Sequence, residues 1–109
     1  MSTMESDGSQ TATISTEHTL FTFASGHKSR ILKIDGANLA ASETVVLRVY
    51  SPVRTGGTIR LIKAVPFTGV LAEPNCQLPP LDTYPTGYAT LQQQNGTGRV
   101  FEWEVVTLD

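Results

Sequence analysis

The sequence is short of charge, of cysteine and of long apolar runs, and each shortage removes a class of explanation. Charged residues make up 17% of the 109-residue chain, against roughly 25% in an average globular protein. The net charge is −2 and the eight basic residues are scattered, so no broad positive field is offered to phosphate and nucleic acid is not an expected partner. One cysteine, Cys76, excludes an internal disulfide and any cysteine-cluster metal site. Apolar runs of a few residues fall far short of the roughly 20 that a membrane-spanning helix needs. The first residues lack a basic-then-apolar signal pattern, so no membrane partner is expected and the chain reads as soluble and made in the cytoplasm. Helical periodicity is missing too: no ten-residue stretch sustains it.

What the sequence does contain is β structure. Threonine supplies much of the polarity, and its branched Cβ favours strands. The residues before Thr11, MSTMESDGSQ, are polar, acidic and aperiodic, which predicts a flexible arm over 1–10. From Thr11 onward short β-rich segments alternate with Gly, Pro, Asn and Asp. That rhythm predicts a single domain over 11–109, an antiparallel β-sandwich of jelly-roll or Greek-key type with about six to eight short strands.

The clearest strand is ETVVLRVY, Glu43 to Tyr50. Val45, Leu47 and Val49 share one face, and Thr44, Val46, Arg48 and Tyr50 the other. The turn SPVRTGG leads into TIRLIKAV, Thr58 to Val65, giving an antiparallel hairpin with Ile59 and Leu61 expected in the core. A second hairpin is expected at the end of the chain: YATLQQQ, Asn95-Gly96-Thr97-Gly98, then RVFEWEVVTL, because Asn-Gly between β-rich runs is a strong hairpin signal. Phe101, Trp103 and Val105 share a face there, and Trp103 is expected at the centre of the core as the largest aromatic. His18 to Phe23 and Ser29 to Ile34 predict two further strands, with a weaker one over Thr11 to Ser15. The segment DGANLAAS, Asp35 to Ser42, is too short for a stable helix and reads as a turn or a single helical twist.

The one long connection, Pro66 to Pro85, holds five of the six prolines, so it cannot lie in a central strand and is expected to run extended along the sandwich edge. It is also the segment best suited to contact a partner, since proline lowers the entropy lost on docking. The candidate contact residues are Pro74, Asn75, Cys76, Gln77, Leu78, Pro79 and Pro80.

No motif points to catalysis, a cofactor or a metal. His18 and His27 stand nine positions apart, without the carboxylate or histidine spacing of a metal site. Cys76 has no histidine near it in sequence to serve as base. Glu102 and Glu104 share a strand face, but an acid pair needs a cleft and two different environments, so they read as solvated. The paired glycines lie between strands, with no following helix to build a phosphate loop. Asn95-Gly96-Thr97 fits the glycosylation sequon, but no secretion signal accompanies it.

The run ETVVLRVYSPVRTGGTIRL, the proline-bearing crossover and the closing YATLQQQNGTGRVFEWEV resemble small β-sandwich proteins encoded among the virion genes of tailed bacteriophages. There a strand of the type T-V-x-L-R-V-Y leads into a Gly-Gly turn, and T-L-x-Q-x-x-G-T-G-R-x-F closes the chain. The residues before Glu43 add no diagnostic motif. The resemblance implies a non-enzymatic virion component made in the host cytoplasm, a capsid decoration or cement protein bound to the major capsid protein or another virion protein. It would be a homo-oligomer, with a trimer favoured, touching its neighbours through residues 1–15 or the proline-rich crossover, or through a strand added at a free edge. Two alternatives stay open: a tail or head-to-tail joining protein, and a carbohydrate-binding module using Tyr50, Tyr84 and Tyr88.

Overall fold

In a computed structural model, which describes residues 2–24, 26–70 and 75–108, the expected strand after Glu43 runs over Thr44–Ser51 and turns its Val45, Leu47 and Val49 fully into the core. The strands in chain order are β1 (Ser2–Thr11), β2 (His18–Thr22), β3 (Lys28–Asp35), β4 (Thr44–Ser51), β5 (Arg60–Thr68), β6 (Asn75–Gln77), β7 (Leu81–Thr83), β8 (Tyr88–Gln93) and β9 (Val100–Leu108). Among the described residues there is no helix. One sheet has the order β1-β9-β3-β6, with β7 also on β3, and the other has the order β2-β8-β4-β5. The two sheets face each other as a sandwich, with Leu32, Ile34, Leu47, Leu91, Phe101 and Val105 among the buried side chains between them.

The pairing is nested. β4 pairs β5, β3 pairs β6 and β7, β2 pairs β8 and β1 pairs β9, all antiparallel. Taking β6 and β7 as one broken strand, this is a long antiparallel hairpin wrapped so that successive pairs fall in alternate sheets, which is the jelly roll. Chemistry breaks the β6/β7 strand: Pro79 and Pro80 lie between its halves and supply no ladder donor.

Several sequence expectations are corrected. The flexible arm over 1–10 is instead the edge strand β1, registered along β9 from Ser2↔Leu108 to Thr11↔Val100; Met1 lies outside the described residues. Its polar sequence gives no alternation because only one part faces apolar groups, and there the small Gly8 lies against the Trp103 indole. The register shifts between Met4 and Ser6. The extra residue, Glu5, turns its carboxylate onto Arg30 of β3, with Nε–Oε1 and Nη2–Oε2 distances of 2.7 and 3.1 Å. A bulge commonly re-aims a side chain in this way. Arg30, 2% exposed, also donates to Thr83 Oγ1 and lies over the Phe23 ring. The weak strand expected over Thr11 to Ser15 is a turn after Thr11.

The second hairpin is absent. β8 sits between β2 and β4, and β9 sits between β1 and β3, so each already has two neighbours and the Asn-Gly loop carries the chain from one sheet to the other. Asn95 spends its side chain on this crossing: Oδ1 accepts from the Thr44 amide and Nδ2 donates to Ser42 O. The buried Gln93 donates to the carbonyls of Asn95 and Thr97 and accepts from the Arg99 amide.

Ile59 and Leu61 are not core residues: they are 38% and 51% exposed. A register shift between Val49 and Tyr50 leaves Ile62 as an extra residue on β5. Val65 and Phe67 oppose the inward Leu47 and Val45, whereas Leu61 opposes Tyr50 on the outer face. One inserted residue inverts the face of everything beyond it. Pro66 lies within β5, and that strand is an edge, the place where proline is tolerated. Trp103 is half-buried at the side of the core, and the fully buried Phe101 occupies its centre.

Candidate interaction surfaces

The outer face of the first sheet carries an open groove of about 660 Å³. Pairing places its residues in rows across the sheet: Asp7 opposite Glu104 and Glu104 opposite Lys33, then Ser9 opposite Glu102. Asp35 and Asn75, themselves paired, complete the groove on the far side, and Gly8, Ile34 and Trp103 line it too. It continues into a second depression formed by Ser9, Asp35, Asn38, Val100 and Glu102. The groove therefore presents four carboxylates and one ammonium. Lys33 Nζ and Glu104 Oε1 meet at 2.9 Å. Asp35 caps the Ala37 amide at 3.0 Å, while Asp7 and Glu102 are exposed and have no ion-pair partner among the described residues. Glu102 and Glu104 do share a face, as their spacing predicts, and neither is buried.

On the other sheet, the β4–β5 hairpin projects apolar and cationic side chains. Gly56 takes the left-handed conformation, φ +79°, and the Gly57 amide closes onto Arg54 O at 3.0 Å. Val53 is 80% exposed, and with Ile59 and Leu61 it forms an apolar strip. Arg54 stands in the turn, while Arg60 and Lys63 lie opposite Ser51 and Val49 on the other face of β5, and none of the three meets a carboxylate among the described residues. Arg30, Lys33, Arg48 and Arg99, by contrast, are each paired to an acid.

The outer face beside that hairpin holds the tyrosines. Tyr50 and Tyr88 stack with ring centroids 4.7 Å apart and planes at 27°, so each covers one face of the other. Tyr50 Oη donates to Glu17, as does Thr90 Oγ1. Burial pushes the Glu17 carboxyl up, but those two hydrogen bonds and the Arg48 guanidinium outweigh it and hold the group below its ordinary range. Tyr84 lies elsewhere, stacked on His27 at 4.2 Å.

The proline-rich contact segment divides. Asn75, Gln77, Pro79 and Pro80 are exposed, whereas Cys76 and Leu78 are buried and belong to the core; Pro74 lies outside the described residues. The alternation follows from β6, whose period-2 geometry turns Cys76 inward, and the Leu78 amide extends the contact to Leu32 O at 3.0 Å. Burial, and then the nearby Asp35 charge, push the Cys76 thiol up, away from the thiolate that a nucleophile requires. His18 accepts from the Thr13 amide at 3.0 Å and His27 pairs with Asp82. The two histidines hold loops.

Sequence reasoning missed the groove because three of its contributors, Asp7, Gly8 and Ser9, stood in the segment expected to be a flexible arm. It missed the cationic hairpin because the scatter of basic residues along the chain conceals which of them find acids in three dimensions. No protein-family profile, curated protein or solved structure matches this chain.

Proposed function

We propose that the chain is a non-enzymatic virion structural protein, a capsid decoration or cement protein that seats on the major capsid lattice by its β1 edge. The observation that carries this reading is β1 itself: ten residues long, paired on one side to β9 and at the end of its sheet. Its Met4 is 52% exposed, and Leu108 of the neighbouring β9 is exposed near the same end. An open edge of this kind accepts a strand from a partner, with main-chain hydrogen bonds supplying affinity and flanking side chains specificity. The Glu5 bulge twists the edge and restrains indiscriminate pairing. The jelly roll also serves viral capsid domains, which supports the reading by fold-level analogy.

The test is co-sedimentation of the purified protein with capsid-like particles that lack it. Binding should saturate at many copies per particle, and Met4→Asp should weaken it while leaving the melting temperature unchanged. Failure to load particles, with binding to isolated tails instead, would move the protein to the tail or its connector. Lectins share the jelly-roll fold, but the Tyr50–Tyr88 pair stacks on itself and offers no open double platform to a sugar ring. Glycan-array binding abolished by Tyr88→Ala would replace the capsid reading.

A further inference from the structure

We infer that the groove on the outer face of the first sheet receives the β4–β5 hairpin of a second copy of this chain, head to tail. The inference goes beyond the capsid reading and uses a different surface, the face of the first sheet rather than its β1 edge. It rests on which charges the fold leaves unpaired. Asp7, Asp35 and Glu102 have no ion-pair partner among the described residues, and all three line the groove. Arg54, Arg60 and Lys63 are likewise without a carboxylate, and all three lie on the hairpin between β4 and the middle of β5. The remaining acid of the groove, Glu104, is already taken by Lys33.

The hairpin also exposes the apolar side chains of Val53, Ile59 and Leu61. Exposed apolar side chains rimmed by charge mark a protein-binding surface. Groove and hairpin belong to opposite sheets of one sandwich, so the two surfaces of a single copy cannot meet. A contact between two different patches is heterologous: it closes into a ring, such as a trimer, when the rotation permits, and otherwise grows as an open chain. The charges would orient and accelerate docking, and the apolar strip would slow release.

The experiment is sedimentation of the full-length protein over a range of concentrations in low and high salt. At low salt the mass should rise to integer multiples of the 11.8 kDa chain. It should fall back toward the single chain near 1 M salt, where the screening length shrinks to about 3 Å. Reversing the groove with Asp7→Lys and Glu102→Lys, or the hairpin with Arg54→Glu and Arg60→Glu, should weaken association by about tenfold, as the loss of a few exposed ion pairs implies. Mixing the two reversed proteins should restore it. A wild-type protein that stays a single chain at every salt and concentration overturns the inference, and that measurement needs no variant to fold. So does an oligomer indifferent to both reversals. A single chain that still loads capsid particles overturns this inference alone; an oligomer that ignores particles overturns only the capsid reading.

Discussion

Glu43 closes the corner where the chain leaves the second sheet for the first. Its carboxylate receives the Arg99 guanidinium at 2.9 Å through both Nε and Nη2, and the amides of Ala40 and Thr97 at 2.9 and 3.1 Å. Arg99 first, then the backbone amides, hold the group at about 2, down from the ordinary 4.5. A carboxyl depressed in the folded state contributes stability that is complete above its unfolded value and lost as pH falls toward the folded one. Thermal stability should therefore decline as pH drops from about 4.5 to about 2. Glu43→Gln should lower the melting temperature at neutral pH, and the gap to wild type should narrow across that window. Gly96 faces the same carboxylate with φ +85°, so Gly96→Ala should cost about 1–2 kcal/mol from the left-handed backbone alone, measured by equilibrium denaturation. Phe101→Ala should cost about 3–5 kcal/mol. Trp103→Ala should cost less, because its indole is half-buried against Gly8. Equal losses would return Trp103 to the centre of the core.

Among the elements, β1 changes the account most. A disordered arm could be removed without harm, whereas a strand that covers Trp103 and delivers Glu5 to Arg30 cannot. Glu5→Ala removes two charge-assisted hydrogen bonds from a guanidinium that is 2% exposed, which should cost about 1.5–3 kcal/mol; urea denaturation of the variant measures it. β4 was legible in sequence because both its faces are decided by burial, so strict alternation survives in Val45, Leu47 and Val49. β1 was not, because an edge strand that shows one polar face to water needs few apolar residues, and MESDGSQ contains one. The Asn-Gly signal identified a turn correctly but not its partners. Local chemistry specifies a reversal, while the choice of neighbours for β8 and β9 is made by strands more than thirty-five residues away. The same limit hid the groove, whose acids come from β1, β3 and β9 and meet only after pairing.

At the scale of the whole molecule, nesting places β1 against β9 across nearly the full chain length, so most pairings are non-local. Loop closure must precede their reward, which puts refolding in the millisecond-to-second range by stopped-flow fluorescence of Trp103; microsecond refolding would mean that local contacts dominate. The nested plan also puts β1 at the end of its sheet, and the proposed role turns on that edge. Hydrogen exchange of the protein alone and bound to capsid-like particles tests this most directly. Binding should slow exchange along residues 2–11, with the strongest gain beside Met4. Particle binding that leaves β1 exchanging as in the free protein, and protects another face instead, would contradict that role.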